Sequence, residues 1–202
     1  MSKRLAALAA TAVLFLGGCG HQAPAAAFRA PVQAAAAHKA PSLADLMQQA
    51  KAIVGQNNPN CAVYEVSGKC GNSELVDVGD VASWTFGVLD DADHPTSTFY
   101  LVYKNGKFGA PVQKAGYDFG RHLEDLDPRL TLREAVLALR QAGYKQDFRY
   151  VDLYKVINPA YNQPLFVFSA ETAIVTVGGN DGVVSNHRPQ DWPWHHGGMP
   201  SR

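Results

Sequence analysis

The sequence predicts an α+β fold: one domain made of two degenerate repeats, each a helix followed by antiparallel strands. Three observations carry this. Two stretches, opening at Ser42 and Thr131, place an N-terminal capping pattern ahead of an apolar stripe of helical period. Each is followed by short runs rich in β-branched and aromatic residues, separated by polar turn segments. The halves also correspond. Trp84-Thr85-Phe86-Gly87-Val88, a loop, residues 99–103 and Asn105-Gly106 match residues 165–168, a loop, residues 173–177 and Asn180-Asp181-Gly182. Helices covering one face of antiparallel strands make an α+β domain.

Taken in order, Ser42 precedes LADLMQQAKAIV with Asp45 three residues on. Leu43, Leu46, Met47, Ala50 and Ile53 or Val54 share one face, and Asn57, Asn58 and Pro59 end the helix. Strands are expected at 62–66, 83–89 and 98–103, the last two joined by the polar loop 90–95. Asn105-Gly106 signals a tight turn, because both residues accept positive φ. Thr131 caps LREAVLALRQAGY with Glu134 at N3. Its stripe is Leu132, Ala135, Val136, Leu139 and Ala142, and Gly143 is the stop. Strands are then expected at 147–156, 164–169 and 173–177; residues 148–154 alternate roughly in character, as on a half-buried antiparallel strand. The two halves are residues 41–110 and 111–185, about 145 residues together, enough for one core.

The ends read differently. Lys3 and Arg4 precede an apolar or small-residue run over 5–16, long enough for a signal-peptide core and too short to span a bilayer. It ends in Leu16-Gly17-Gly18-Cys19, which resembles the bacterial lipobox. That resemblance implies cleavage after residue 18 and lipidation of Cys19 by a diacylglyceryl group plus an amide-linked acyl chain. Buried acyl CH₂ groups contribute about 0.8 kcal/mol each, so two or more chains anchor stably. The expected location is the cell membrane or outer membrane, with the domain in the periplasm or at the cell surface. Residues 19–40, rich in Ala and Pro, read as a tether, and 186–202, with Pro189, Pro193 and Pro200, as an extended tail.

Loss of Lys3 and Arg4 leaves 16 basic against 18 acidic side chains, a formal charge of −2. No basic field of the kind nucleic acid needs is present. Cys61 and Cys70 are the remaining cysteines. An even pair in an exported chain reads as a disulfide, stabilising by about 2–3 kcal/mol through loop closure.

From Thr131 the second half resembles a PepSY-type module. The carrying residues are Thr131-Leu132-Arg133-Glu134-Ala135, Ala142-Gly143-Tyr144, Gln163-Pro164-Leu165-Phe166-Val167-Phe168, and the closing run 173–177 with Asn180-Asp181-Gly182-Val183. The resemblance implies a non-enzymatic extracytoplasmic domain, with inhibition or partner binding suggested. The tandem arrangement is similar, in architecture alone, to the beta-lactamase inhibitory proteins.

Candidate chemistry is sparse. No Gly-x-Ser-x-Gly occurs. Asp90, Asp91 and Asp93, and Glu124, Asp125 and Asp127, lack the spacing of an EF-hand and read as solvated turn charges. His187, His195, His196 and Met199 suit copper or zinc, weakly and without a preformed site. Trp192 and Trp194 are indoles that gain from docking on the domain, a membrane interface or a partner. The favoured expectation is a non-enzymatic, lipid-anchored module without a cofactor, binding or inhibiting another envelope protein. The alternatives are a metal-binding lipoprotein that uses the tail, and an envelope hydrolase.

Overall fold

A computed structural model describes residues 41–56, 59–71, 75–116, 123–157 and 161–187. They hold two helices and one antiparallel sheet of nine strands, the α+β class the sequence predicts. The chain runs α1 (Leu43–Val54), β1 (Ala62–Cys70), a 3₁₀ turn (Val78–Asp80), β2 (Val81–Leu89), β3 (Ser97–Lys104), β4 (Lys107–Phe108) and β5 (Val112–Ala115). It continues with α2 (Leu132–Gln141), β6 (Tyr150–Tyr154), β7 (Leu165–Ser169), β8 (Ile174–Gly178) and β9 (Val184–His187).

Both helices start where their capping boxes lie. The Asp45 N–H donates to the Ser42 hydroxyl at 3.1 Å, and the Asp45 carboxylate accepts from the Ser42 N–H at 3.0 Å. The Glu134 N–H donates to the Thr131 hydroxyl at 3.3 Å, and the Thr131 N–H donates back to Glu134 at 2.7 Å. Such caps contribute about 1 kcal/mol each by satisfying amides the helix cannot. Asn105 and Gly106 take φ of 53° and 78°, closing the β3–β4 hairpin as the tight-turn signal requires.

The strand order is β4-β3-β2-β1-β6-β7-β8-β9, with β5 also pairing β3. The first strand after each helix, β1 and β6, thus lie side by side and antiparallel at the centre. From them the strands run outward in chain order on both sides. One face carries the main core. There Val66, Trp84, Phe86, Leu101, Val151, Leu153, Phe166, Phe168, Val175 and Val177 pack with Leu46, Met47 and Ala50 of α1 and Leu132, Ala135 and Leu139 of α2. A register shift between Val63 and Glu65 lets Val63 and Val66 both join this core.

Four expectations need correction. The proposed disulfide does not form: Cys61 and Cys70 are free thiols. Cys61 immediately precedes β1 and Cys70 ends it, nine residues of extended chain on, so about 30 Å separates them, whereas a disulfide needs Cα atoms within about 7 Å. The expected strand at 62–66 runs on to Cys70, because residues 65–69 pair with β6 and 62–70 with β2. The first group of strands does not stop at residue 110: β5 adds to it by pairing with β3. Similarly, β9 carries regular structure through His187, beyond the expected start of the tail.

Candidate binding face

The other sheet face has no helix among the described residues. Cross-strand registers set its side chains in rows. One row runs Tyr100, Gly87, Glu65, Tyr154, Leu165 and Gly178 from β3 to β8. The next runs Val102, Thr85, Ser67, Asp152, Val167, Thr176 and Ser185 from β3 to β9.

The two ends of these rows differ. Toward β9, Tyr154, Val156, Leu165, Val167 and Ile174 form a second buried cluster, with Tyr161 packed against it. Toward β3 and β5 the face opens: Val102 is 44 % exposed and Val112 58 %; at the start of β6 Tyr150 is 42 % exposed. Ser67, Thr85 and Tyr100 are half-buried.

Polar contacts tie the open part together. The Tyr64 hydroxyl donates to Glu65 Oε1 at 3.1 Å and lies 3.2 Å from the Tyr100 hydroxyl. Lys114 Nζ sits 4.8 Å from the centre of the Tyr100 ring, on its π face. Gly87 makes room for this group: a Cβ there would meet Glu65 Cγ at 2.5 Å. Asp152, 9 % exposed, lies between Ser67 and Val167.

The acidic runs have structural work. Asp90 accepts N–H bonds from Asp91, Thr96 and Ser97, and the Thr96 hydroxyl. Burial pushes its pKa up, but these bonds outweigh burial and hold the carboxyl below its ordinary value. Asp91 accepts from the Asp93 and His94 N–H groups. Asp125 accepts from the Val63 N–H and pairs with Lys51, and Glu124 pairs with Lys155 at 2.7 Å, so residues 124–125 staple a loop to α1 and the sheet. Among the described residues no set of three or more His, Cys, Asp or Glu converges as a metal site.

His187 stands in β9. Its Nε2 lies 3.2 Å from the Thr176 hydroxyl and its ring is 6.4 Å from that of Tyr161. Thr176 is buried, so this hydroxyl–imidazole contact has no access for a substrate carbonyl. Trp192, Trp194, His195, His196, Met199 and Cys19, the expected lipidation site, lie outside the described residues. Both described cysteines are poor nucleophiles. Burial, then the Asp152 charge, pushes the Cys70 thiol up to about 11. Burial likewise raises Cys61, Lys51 opposing it in part.

A sheet with helices on one side leaves its other face uncovered, so the sequence already points to such a face as an interaction surface; the residues that make it up were not legible. Alternation in each strand was visible, but which residues share a row depends on register. Among the described residues no helix is long and apolar enough to cross a membrane.

No family model matches the chain, and no curated protein matches it. A crystal structure from Clostridium difficile 630, of a chain provisionally called a lipoprotein, is similar at a TM-score of 0.48 and 10 % identity. The match covers 72 % of this chain and 93 % of that one. At that score and identity the likeness says nothing about what the chain does.

Proposed function

We propose that the chain is a lipid-anchored, non-enzymatic module of the cell envelope that binds another envelope protein through the open part of its helix-free sheet face. The observation that carries this is one-sided cover. Both helices pack on one face, while half-buried Tyr100 and exposed Val112 lie on the other, beside the exposed strand β5. Aromatic and aliphatic side chains on a rigid sheet are what a protein partner buries. β5 pairs with β3 through one edge, and every residue of it is exposed. It thus offers backbone groups to an added strand as well.

Anchorage rests on the lipobox resemblance at Cys19 and on the tether that follows it. The tandem PepSY-like reading draws support from the element order, a helix then strands, twice, with β1 and β6 adjacent at the centre.

The test is site-specific photocrosslinking in cells. A benzophenone side chain at Tyr100 or Val112 is expected to yield a discrete protein adduct. The same group at Leu137, exposed on α2, is expected to yield none. Adducts of equal yield from all three positions, or from none, would overturn the assignment. A second arm removes the tail after His187, so that β9 stays intact. Loss of the adduct there would move the site to the Trp192–Trp194 segment.

A further inference from the structure

One end of the helix-free face carries three exposed lysines. Lys107 of β4 stands directly opposite Lys104 of β3. One step beyond the Trp84–Tyr103 pair, Ser83 continues the row. Register then carries it to Lys69, Tyr150 and Ser169. Lys69, Lys104 and Lys107 are exposed, and among the described residues none of their ammonium groups makes a hydrogen bond or ion pair. Like charges directly opposite on a hairpin repel, so the Lys104–Lys107 pair gains from any anion set against it.

Among the described residues no carboxylate forms an ion pair with the row. Asp152 is sunk one row away, diagonal to Lys69. Asp147 shares a shallow depression of about 400 Å³ with Lys69, but so does Arg149. Asp77 and Asp80 accept N–H bonds of their own 3₁₀ turn. Ser83 stands between Lys104 and Lys69, the small hydroxyls Thr85 and Ser67 and exposed Val102 fill the next row, and exposed Tyr150 lies beside Lys69.

We infer that this lysine row rests on the anionic headgroups of the bilayer to which the chain is tethered; the inference depends on the lipid-anchor reading. Its chemistry favours a lipid surface over a protein. The row holds lysines and no arginine, and the nearest arginine, Arg149, faces Glu171 at 3.4 Å. Lysine is depleted from protein interfaces, where the planar fork of arginine is preferred. A diffuse field of headgroups suits compact ammonium charges on flexible stems, with Val102 and Tyr150 entering the interface. The tether over residues 20–40 extends to at most about 70 Å. That lets any side of the domain meet the bilayer, so charge selects the side. Tyr100 and Val112 lie two rows away, about 14 Å along the strands, and stay free for a protein.

The experiment uses the mature chain, residues 20–202 without acyl groups, whose main core lies between Leu43 and Val184. It is sedimented with vesicles of phosphatidylcholine and phosphatidylglycerol in equal parts, and with pure phosphatidylcholine. Binding to the anionic vesicles alone is expected, and its loss in about 1 M salt, where charges are screened within about 3 Å. Each lysine contributes about fivefold in partitioning, so K104Q/K107Q is expected to bind about 25-fold more weakly and to keep its circular dichroism. R133Q/K145Q, an equal charge change elsewhere, is expected to lose less than about threefold. Equal binding to both vesicle types, or equal losses in both variants, would overturn the inference. So would binding to soluble polyglutamate without binding to vesicles, which would make the row a site for an acidic protein. Incorporation of labelled fatty acid in cells, abolished by Cys19→Ala, tests the anchor separately.

Discussion

Replacing Gly68 by alanine adds one methyl group at a place that cannot hold it. Gly68 of β1 and Trp84 of β2 are cross-strand partners on the helix-covered face, and the indole lies over the glycine. A Cβ at position 68 would stand 2.6, 2.9 and 3.0 Å from three ring carbons of Trp84. Carbon atoms pack at about 3.5–4.0 Å, so the overlap is about 1 Å. The ring has nowhere to retreat. Trp84 is 1 % exposed, and its N–H donates to the Val78 carbonyl at 3.3 Å. Overpacking of this kind costs about 1–3 kcal/mol, and a tilt that breaks the hydrogen bond adds about 1. Removing a flexible glycine from a strand returns about 0.5–1. The net loss is about 2 kcal/mol, a fall in Tm of about 4–8 °C for a domain of this size. Urea denaturation followed by far-ultraviolet circular dichroism measures it. In a Trp84→Leu background the same alanine is expected to cost less than about 0.5 kcal/mol, because residues in contact do not add. A neutral Gly68→Ala, or strict additivity in that cycle, would refute the packing argument.

Further predictions concern the cysteines and the caps. The unfolded mature chain is expected to titrate Cys61 and Cys70 as free thiols, with reductant leaving Tm unchanged; a fall in Tm on reduction would restore the disulfide. The same thiols set an alkaline limit. Folded Cys70 keeps its proton up to about 11 and the unfolded thiol loses it from about 8.5. The folded state therefore binds more protons in that window, and stability falls as pH rises through it. Cys70→Ala is expected to flatten the slope of stability against pH there. Thr131→Ala, which removes the hydroxyl of the α2 cap, is expected to cost about 1 kcal/mol. In the acid range the Glu134 carboxyl, held below its ordinary value by the Thr131 N–H and hydroxyl, supports the cap above its unfolded pKa. That support is lost as pH falls through the folded value, so the acid midpoint of the Thr131→Ala variant reports how the two groups depend on each other.

The local elements were legible because their causes are local. Ser42 with Asp45 and Thr131 with Glu134 satisfy amides three residues away, and Asn105-Gly106 closes a hairpin through its own φ angles. Nothing beyond a few neighbouring residues is needed for either. The paired helix-then-strands order was legible for the same reason. What the tertiary structure decided is non-local. Cys61 and Cys70 are near in sequence and invite a bridge until β6 and β2 hold the chain between them straight on both sides. The short strands β4, β5 and β9 carry too few residues to show a period, and exist because a neighbour's edge offers hydrogen bonds. Lys69, Lys104 and Lys107 read singly as surface charges. Register alone sets them in one row, since a strand's alternation gives the face a residue occupies but not the strand that lies beside it.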